Sequence, residues 1–175
     1  MTNITITKAS LADVDQLQTI GRQTFSETFS ASNTAADMAA YLAEGFSTDK
    51  LTAELSNPDS KIYFARLDGV VIGYLKLNIG ASQTESTGKK SLEIERIYVL
   101  NAFHGQTIGQ LLYEKAMQIA RQLAVESVWL GVWEHNPRAI AFYKKNGFVA
   151  FDTHIFRLGA DEQTDILMKL ALTGD

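Results

Sequence analysis

The stretch from Ser91 to Leu112, SLEIERIYVLNAFHGQTIGQLL, is where residue types and spacing point most directly to chemistry. It opens as a strand of branched and aromatic residues from Leu92 to Leu100. It then crosses a short glycine-containing loop from His104 to Gly109 and enters an apolar-periodic helix. A strand that feeds a helix through such a loop turns several backbone N–H groups toward one point at the helix N-terminus, where they can hold an anion. The common phosphate motifs do not account for it. A P-loop requires Lys and then Ser or Thr after its last glycine, and here Gln110 and Leu111 follow Gly109. The chain has no G-x-G-x-x-G dinucleotide fingerprint and no G-x-S-x-G nucleophile turn. His104, His135 and His154 lack metal-ligand spacing, and without cysteine there is no thiolate ligand, disulfide or cysteine nucleophile. No metal is expected.

The elements that must position this stretch follow from pattern. Asn3 to Lys8 alternates as a short edge strand, and Ser10 caps a helix that carries Leu11, Val14, Leu17, Gly21, Phe25 and Phe29 at helical spacing. A second helix is expected from Thr34 to Phe46 and a shorter one from Asp49 to Leu55, ending near Asn57-Pro58. These early helices are placed to form a lid or a substrate wall. Lys61 to Leu67 and Val70 to Ile79 are strands joined by Asp68-Gly69, a strong two-residue hairpin signal. Gly80 to Lys90 is a polar loop. After the central helix comes a strand from Ser127 to Val132, then a helix capped by Asn136-Pro137 and closed by Gly147. Phe148 to Ile155 and Asp165 to Leu172 are the closing strands. The order gives an α/β fold, a mixed sheet of six to seven strands flanked by helices.

Bulk properties narrow the class. A length of 175 residues without linker or repeat fits one domain over residues 1–175 with a substantial core. A net charge of −4 argues against a dedicated nucleic-acid binder. There is no run of eighteen apolar residues to span a membrane and no leader-like N-terminus, so the expected location is the cytoplasm.

Three separated motifs then carry a resemblance: Glu95-Arg96-Ile97-Tyr98-Val99, the loop His104-Gly105-Gln106-Thr107-Ile108-Gly109, and NPRAIAFYKKNGF from Asn136 to Phe148. In this order they resemble the GNAT acyl-CoA N-acyltransferases, over most of the chain. The segments LEIERIYV, WLGVWE, AIAFYKK and EQTDILM are similar to the PaiA-type spermidine/spermine N-acetyltransferases. The resemblance implies a GNAT fold and acetyl-CoA as cosubstrate, with a small-molecule amine as acceptor and a monomer or homodimer as the working form. It implies that Ile97, Tyr98 and Val99 pair their backbone with the pantetheine arm. His104, Gly105, Gln106, Thr107, Ile108, Gly109 and Gln110 would wrap the pyrophosphate, with Asn136 and Lys145 nearby.

The family pattern is Arg/Gln-x-x-Gly-x-Gly/Ala. Here His104 stands first and Thr107 replaces a glycine, so Thr107 either needs no positive φ or weakens cofactor binding. An ammonium of pKa ~10.4 must lose a proton before attacking a thioester. Glu95 is the candidate base, through a water, with Glu93 as the second candidate on the same side of the strand. The Tyr98 N–H is a candidate oxyanion donor, and Tyr143 stands at the family's general-acid position. Glu27 and Glu44 are candidate partners for a distal ammonium. Trp129 and Trp133 read as core or strand-face residues. Two other readings stay open: acetylation of a protein or amino-acid-like amine, and an acyl-CoA-binding regulatory protein with weak catalysis.

Overall fold

In the computed structural model, which describes residues 3–85 and 90–172, turn and cap chemistry places most of the elements. Edge strand β1 (Ile4–Lys8) leads through a 3-10 turn into helix α1 (Val14–Phe29), and the Ser10 N–H at that start donates to the Asp13 carboxylate (2.8 Å). Helix α2 (Ala35–Gly45) begins at Thr34, whose hydroxyl accepts from the Asp37 N–H. Helix α3 (Thr48–Ser56) begins at Ser47, which accepts from the Lys50 N–H. Strands β2 (Ser60–Leu67) and β3 (Val70–Ile79) form the expected hairpin, with Asp68 at φ 49° and Gly69 at φ 86° in its turn. The expected loop from Gly80 to Lys90 is seen as far as Glu85 and again at Lys90; residues 86–89 lie outside the described residues.

The chain continues through β4 (Ser91–Val99), α4 (Ile108–Gln122), β5 (Ser127–Trp133) and α5 (Pro137–Lys145). Asn136 Oδ1 accepts from the Ala139 N–H at 3.2 Å, so the cap expected there is made. The closing strands differ from expectation. β6 (Val149–Leu158) and β7 (Asp161–Ala171) are longer, and Gly159 at φ 59° turns one directly into the other. The sequence pattern leaves residues 156–164, with Arg157, Asp161 and Glu162, outside both strands. On an antiparallel hairpin with a solvated face, such charges are no bar to pairing.

The strands form one mixed sheet of seven, in the order β1-β2-β3-β4-β5-β7-β6. Its two faces carry separate cores. On one, Leu75, Leu77, Leu92 and Ile94 pack against Ile108, Leu112, Ala116 and Met117 of α4 and against Tyr143 of α5. On the other, Ile62, Phe64 and Tyr74 pack against Leu17, Ile20, Phe25, Met38, Phe46 and Leu51 from the first three helices. Among the described residues no helix is long and apolar enough to cross a membrane.

The feature that matters most lies at the centre of the sheet. β4 and β5 run side by side in parallel, yet their pairing covers only Ser91–Ser127 through Ile94–Leu130. β4 goes on to Val99 and β5 to Trp133, so their later halves separate and leave a gap through the sheet.

Gly21 shows how tightly the helical layer fits. A Cβ at this position would lie 2.6 Å from the ring of buried Phe46. Ala ordinarily stabilises a helix interior by about 1 kcal/mol over Gly, but overpacking a buried ring costs about 1–3 kcal/mol. Gly21→Ala should therefore lower the free energy of unfolding by roughly 1 kcal/mol in a urea titration, opposite to the sign helix propensity alone would give.

Candidate active site

Glu95 owes its position to an irregularity in the ladder. Lys76 of β3 faces Arg96 and the next residue, Leu77, faces Ile94, so Glu95 is an extra residue opposite neither. Such a bulge re-aims side chains. Strict alternation keeps Glu93 and Glu95 together and sends Arg96 to the opposite face. The bulge instead brings Arg96 to the same side. There Lys76 Nζ lies 2.8 Å from Glu95 Oε2 and 2.5 Å from Glu54 Oε1 of α3, with the Arg96 guanidinium 3.6 Å from Glu95 and 3.7 Å from Glu54. Two cations and two carboxylates thus balance in a largely buried cluster, and the Arg96 guanidinium also stacks over Phe46 at 5.1 Å. Burial alone would raise the Glu95 carboxyl, but the Arg96 and Lys76 charges outweigh it and hold the group below its usual range.

Glu93 has the opposite balance. Burial raises its pKa, against hydrogen bonds donated by the Asn78 amide (3.0 Å), the Thr84 N–H (2.8 Å) and the Thr84 hydroxyl (2.5 Å). Both of its oxygens are held by neutral donors, where Glu95 is held mainly by the Arg96 and Lys76 charges.

Two cavities meet in the gap between β4 and β5. The larger, of about 580 Å³, lies on the α4–α5 side. It collects the expected Ile97, Tyr98, Val99, His104, Gly105, Thr107, Ile108, Gly109, Gln110, Asn136 and Lys145, together with Tyr143. Gln106 is not among its lining residues. A Cβ on Gly105 or Gly109 would meet nothing within 4 Å, so bare backbone faces the cavity there. Gly105 at φ 79° and Thr107 at φ 66° make a left-handed turn that orients N–H groups at the start of α4, a cradle for phosphate. Phe103, Ile108 and Phe142 supply an apolar wall. This set of donors and surfaces fits coenzyme A. The Thr107 hydroxyl is not a free donor, because it bonds the Gln106 carbonyl.

The ladder also says which backbone groups face the gap. The Leu100 N–H donates to the Ile72 carbonyl of β3, and in this register Tyr98 pairs with Tyr74. Backbone groups alternate sides along a strand, so Tyr98 bonds β3 while Ile97 and Val99 turn toward the gap. The Tyr98 N–H, the candidate oxyanion donor, is thus turned toward β3, and the Ile97 N–H faces the gap.

The second cavity, of about 330 Å³, lies on the helical-layer side and shares Thr28, Ile97, Tyr98, Asn136, Ala139 and Tyr143 with the first. Phe25, Phe29, Tyr41, Trp133 and Phe156 wall it, with Phe25 and Tyr41 stacked at 4.4 Å. Glu85, Glu93, Glu95 and Asp165 line it against Lys50 and Arg96. Burial raises Asp165 above the usual aspartate range, opposed by His154, and among the described residues it forms no hydrogen bond or ion pair. Tyr143 is 6% exposed, and burial, with Tyr113 adding to it, pushes its hydroxyl well above the usual tyrosine range. It stays protonated at neutral pH.

The chain matches the model of the acetyltransferase (GNAT) family over residues 22–148. The chain belongs to the GNAT acetyltransferase family. It is 42% identical over 172 residues to an N-acetyltransferase of Lactobacillus delbrueckii subsp. lactis, covering 98% of this chain and 99% of the relative. It is 27% identical to a spermidine N(1)-acetyltransferase of Thermoplasma acidophilum, over 86% of this chain and 91% of that one. Its fold superposes on the crystal structure of the PaiA N-acetyltransferase of Thermoplasma acidophilum in complex with coenzyme A. That match has a TM-score of 0.80 and 26% identity, over 97% of this chain and 99% of the other. The GNAT chain is thus an acetyl-CoA-dependent N-acetyltransferase acting on an amine, and the larger cavity is where its cosubstrate fits.

Not every expected residue of this acetyltransferase takes its expected place. Glu27 accepts from the Asn101 N–H at 2.9 Å and Glu44 is exposed on α2; neither lines the second cavity. Asp165 and Glu85 line it. Trp129 is buried as expected, yet both Trp129 and Trp133 line the second cavity. Arg138, absent from the sequence reading, lines the cofactor cavity.

Thr107 holds a left-handed conformation that costs a β-branched residue roughly 1–2 kcal/mol, while Gly carries an entropic penalty of about 0.5–1 kcal/mol. Thr107→Gly should raise the free energy of unfolding by about 0.5–1 kcal/mol, measured by chemical denaturation of the free protein.

Proposed function

We propose that this acetyltransferase acetylates a primary amine of a polyamine such as spermidine or spermine, by direct attack within a ternary complex. The observation that carries the reading is the second cavity, aromatic-walled and rich in carboxylates, with the Asp165 carboxylate half-buried and, among the described residues, in no hydrogen bond or ion pair. A burial-strained carboxylate gains most from a cation delivered by the ligand, and aromatic faces favour the same charge. The likeness to the spermidine N(1)-acetyltransferase supports it.

In this mechanism Glu95, held ionised by Lys76 and Arg96, accepts the ammonium proton through a water. The freed amine attacks the thioester carbonyl, and the Ile97 N–H stabilises the negative charge on its oxygen. As the C–S bond breaks, Tyr143 donates its proton to the departing thiolate, and the second proton leaving the new amide nitrogen returns to the Tyr143 oxygen. Its raised pKa guarantees the proton at neutral pH at the expense of acidity. Asp165 receives the distal ammonium.

Trp133 favours a second reading. Its buried indole N–H has no acceptor among the described residues, and a polyamine offers none. An amino-acid-like or peptide amine would bring a carbonyl to it.

Steady-state kinetics with spermidine, a simple monoamine and an amino-acid amide separate these readings. For spermidine, Tyr143→Phe should lower kcat by about 10²-fold or more and Glu95→Gln by at least tenfold, the range of general acid–base catalysis. Unchanged kinetics in both would sink the mechanism. Asp165→Asn should raise the KM for spermidine with little effect on the monoamine. Spermidine kcat/KM should also fall as pH drops through a value above the ordinary aspartate range, because protonation removes the receiving charge. Preference for the amino-acid amide would favour the second reading.

A further inference from the structure

We infer that Arg138 is the side chain that grips the pyrophosphate of acetyl-CoA, and that His104 is the residue that positions it. His104 stands where a direct phosphate ligand was expected, but its ring is already committed. Nε2 lies 2.7 Å from the Val99 carbonyl oxygen. A carbonyl can only accept, so Nε2 carries the proton. Nδ1 lies 2.6 Å from a terminal nitrogen of Arg138, and a guanidinium can only donate. Nδ1 is therefore the acceptor. The imidazole is neutral, in one tautomer, with no donor left for a phosphate.

Arg138 is in the reverse situation. The guanidinium has five N–H donors in a rigid fork, and the bond to His104 uses one. Among the described residues neither Arg138 nor Lys145, which lines the same cavity, forms an ion pair. Two uncompensated cations therefore share one concavity of a chain whose net charge is −4. The bare backbone of Gly105 and Gly109 faces that same space. An anion held by the N–H groups at the start of α4 thus completes the coordination of Arg138. His104 joins the end of β4, the glycine loop and the first turn of α5, and so fixes the fork's direction before the ligand arrives. Preorganisation of this kind raises affinity without adding a contact.

The inference rests on acetyl-CoA as cosubstrate and is tested by binding rather than turnover. Calorimetric titration with CoA should show Arg138→Gln weakened about tenfold or more, the scale of a charge-assisted hydrogen bond. Arg138→Lys, which keeps the charge but not the fork, should fall between Arg138→Gln and wild type. His104→Ala should weaken binding about three- to tenfold, and the double variant should be no worse than Arg138→Gln alone, since His104 acts through Arg138. The salt dependence of the CoA Kd should flatten in Arg138→Gln. Pantetheine, which lacks the pyrophosphate, should bind Arg138→Gln and wild type equally. Arg157→Gln, an exposed charge on edge strand β6 paired with Glu162, controls for net charge and should leave the CoA Kd unchanged. An unchanged CoA Kd in Arg138→Gln with wild-type melting, or equal loss of pantetheine affinity, would overturn the assignment to Arg138. Additive effects in the double variant would overturn the positioning role of His104. A wild-type protein that fails to bind CoA would overturn the cosubstrate reading as well.

Discussion

Adjacent parallel strands satisfy their backbone groups by staying paired, and β4 and β5 stop doing so after Ile94 and Leu130. Everything functional in the molecule depends on that separation. The bulge at Glu95 falls at the same level and adds local twist, turning the outer half of β4 away from its neighbour. On its other edge β4 stays paired with β3 from Leu92 to Val99 apart from the Glu95 bulge, so the break is confined to one side. The Ile97 backbone groups and the Val99 N–H, which pair with no strand among the described residues, face a space wide enough for a ligand. Only a partner that supplies its own amides, or water, can satisfy them. The His104 ring already takes the Val99 carbonyl.

The separation also puts charges where an apolar core would otherwise be. Lys76, Glu54, Glu95 and Arg96 are all largely withdrawn from water, and removing two such ions of each sign from solvent is costly unless they are mutually paired. Their arrangement ties α3 to the bulge, so the helical layer and the strand irregularity support each other. Tyr74, buried beside this cluster with its hydroxyl pushed up to about 12, stays neutral and adds no further charge.

Much of this was legible from residue order. Asp68-Gly69 turns as its chemistry requires, Asn136 caps, Gly147 at φ 95° ends α5, and the resemblance motifs converge on one cavity. What could not be read depends on pairing between distant segments. The bulge exists only in the register of β4 against β3, so the company Glu95 keeps, and the side on which Arg96 lies, are invisible along the strand itself. Arg138 and His104 are 34 residues apart, and neither carries a local signal of the other. Glu27 and Glu44 looked suitable by charge, but helix rotation decided otherwise. Thr107 posed a choice between an ordinary dihedral and a strained one, and the loop takes the strained one at φ 66°. The charged tips of β6 and β7 hid a hairpin because polarity along an edge strand does not distinguish it from a loop.

The gap between β4 and β5 passes through the sheet, with one cavity opening on each face and Tyr143 and Tyr98 at their junction. A molecule entering from the α4–α5 side meets one entering from the helical-layer side head to head, and neither crosses the other's route. Two ligands could therefore reach one junction from opposite faces of the sheet without sharing an entrance.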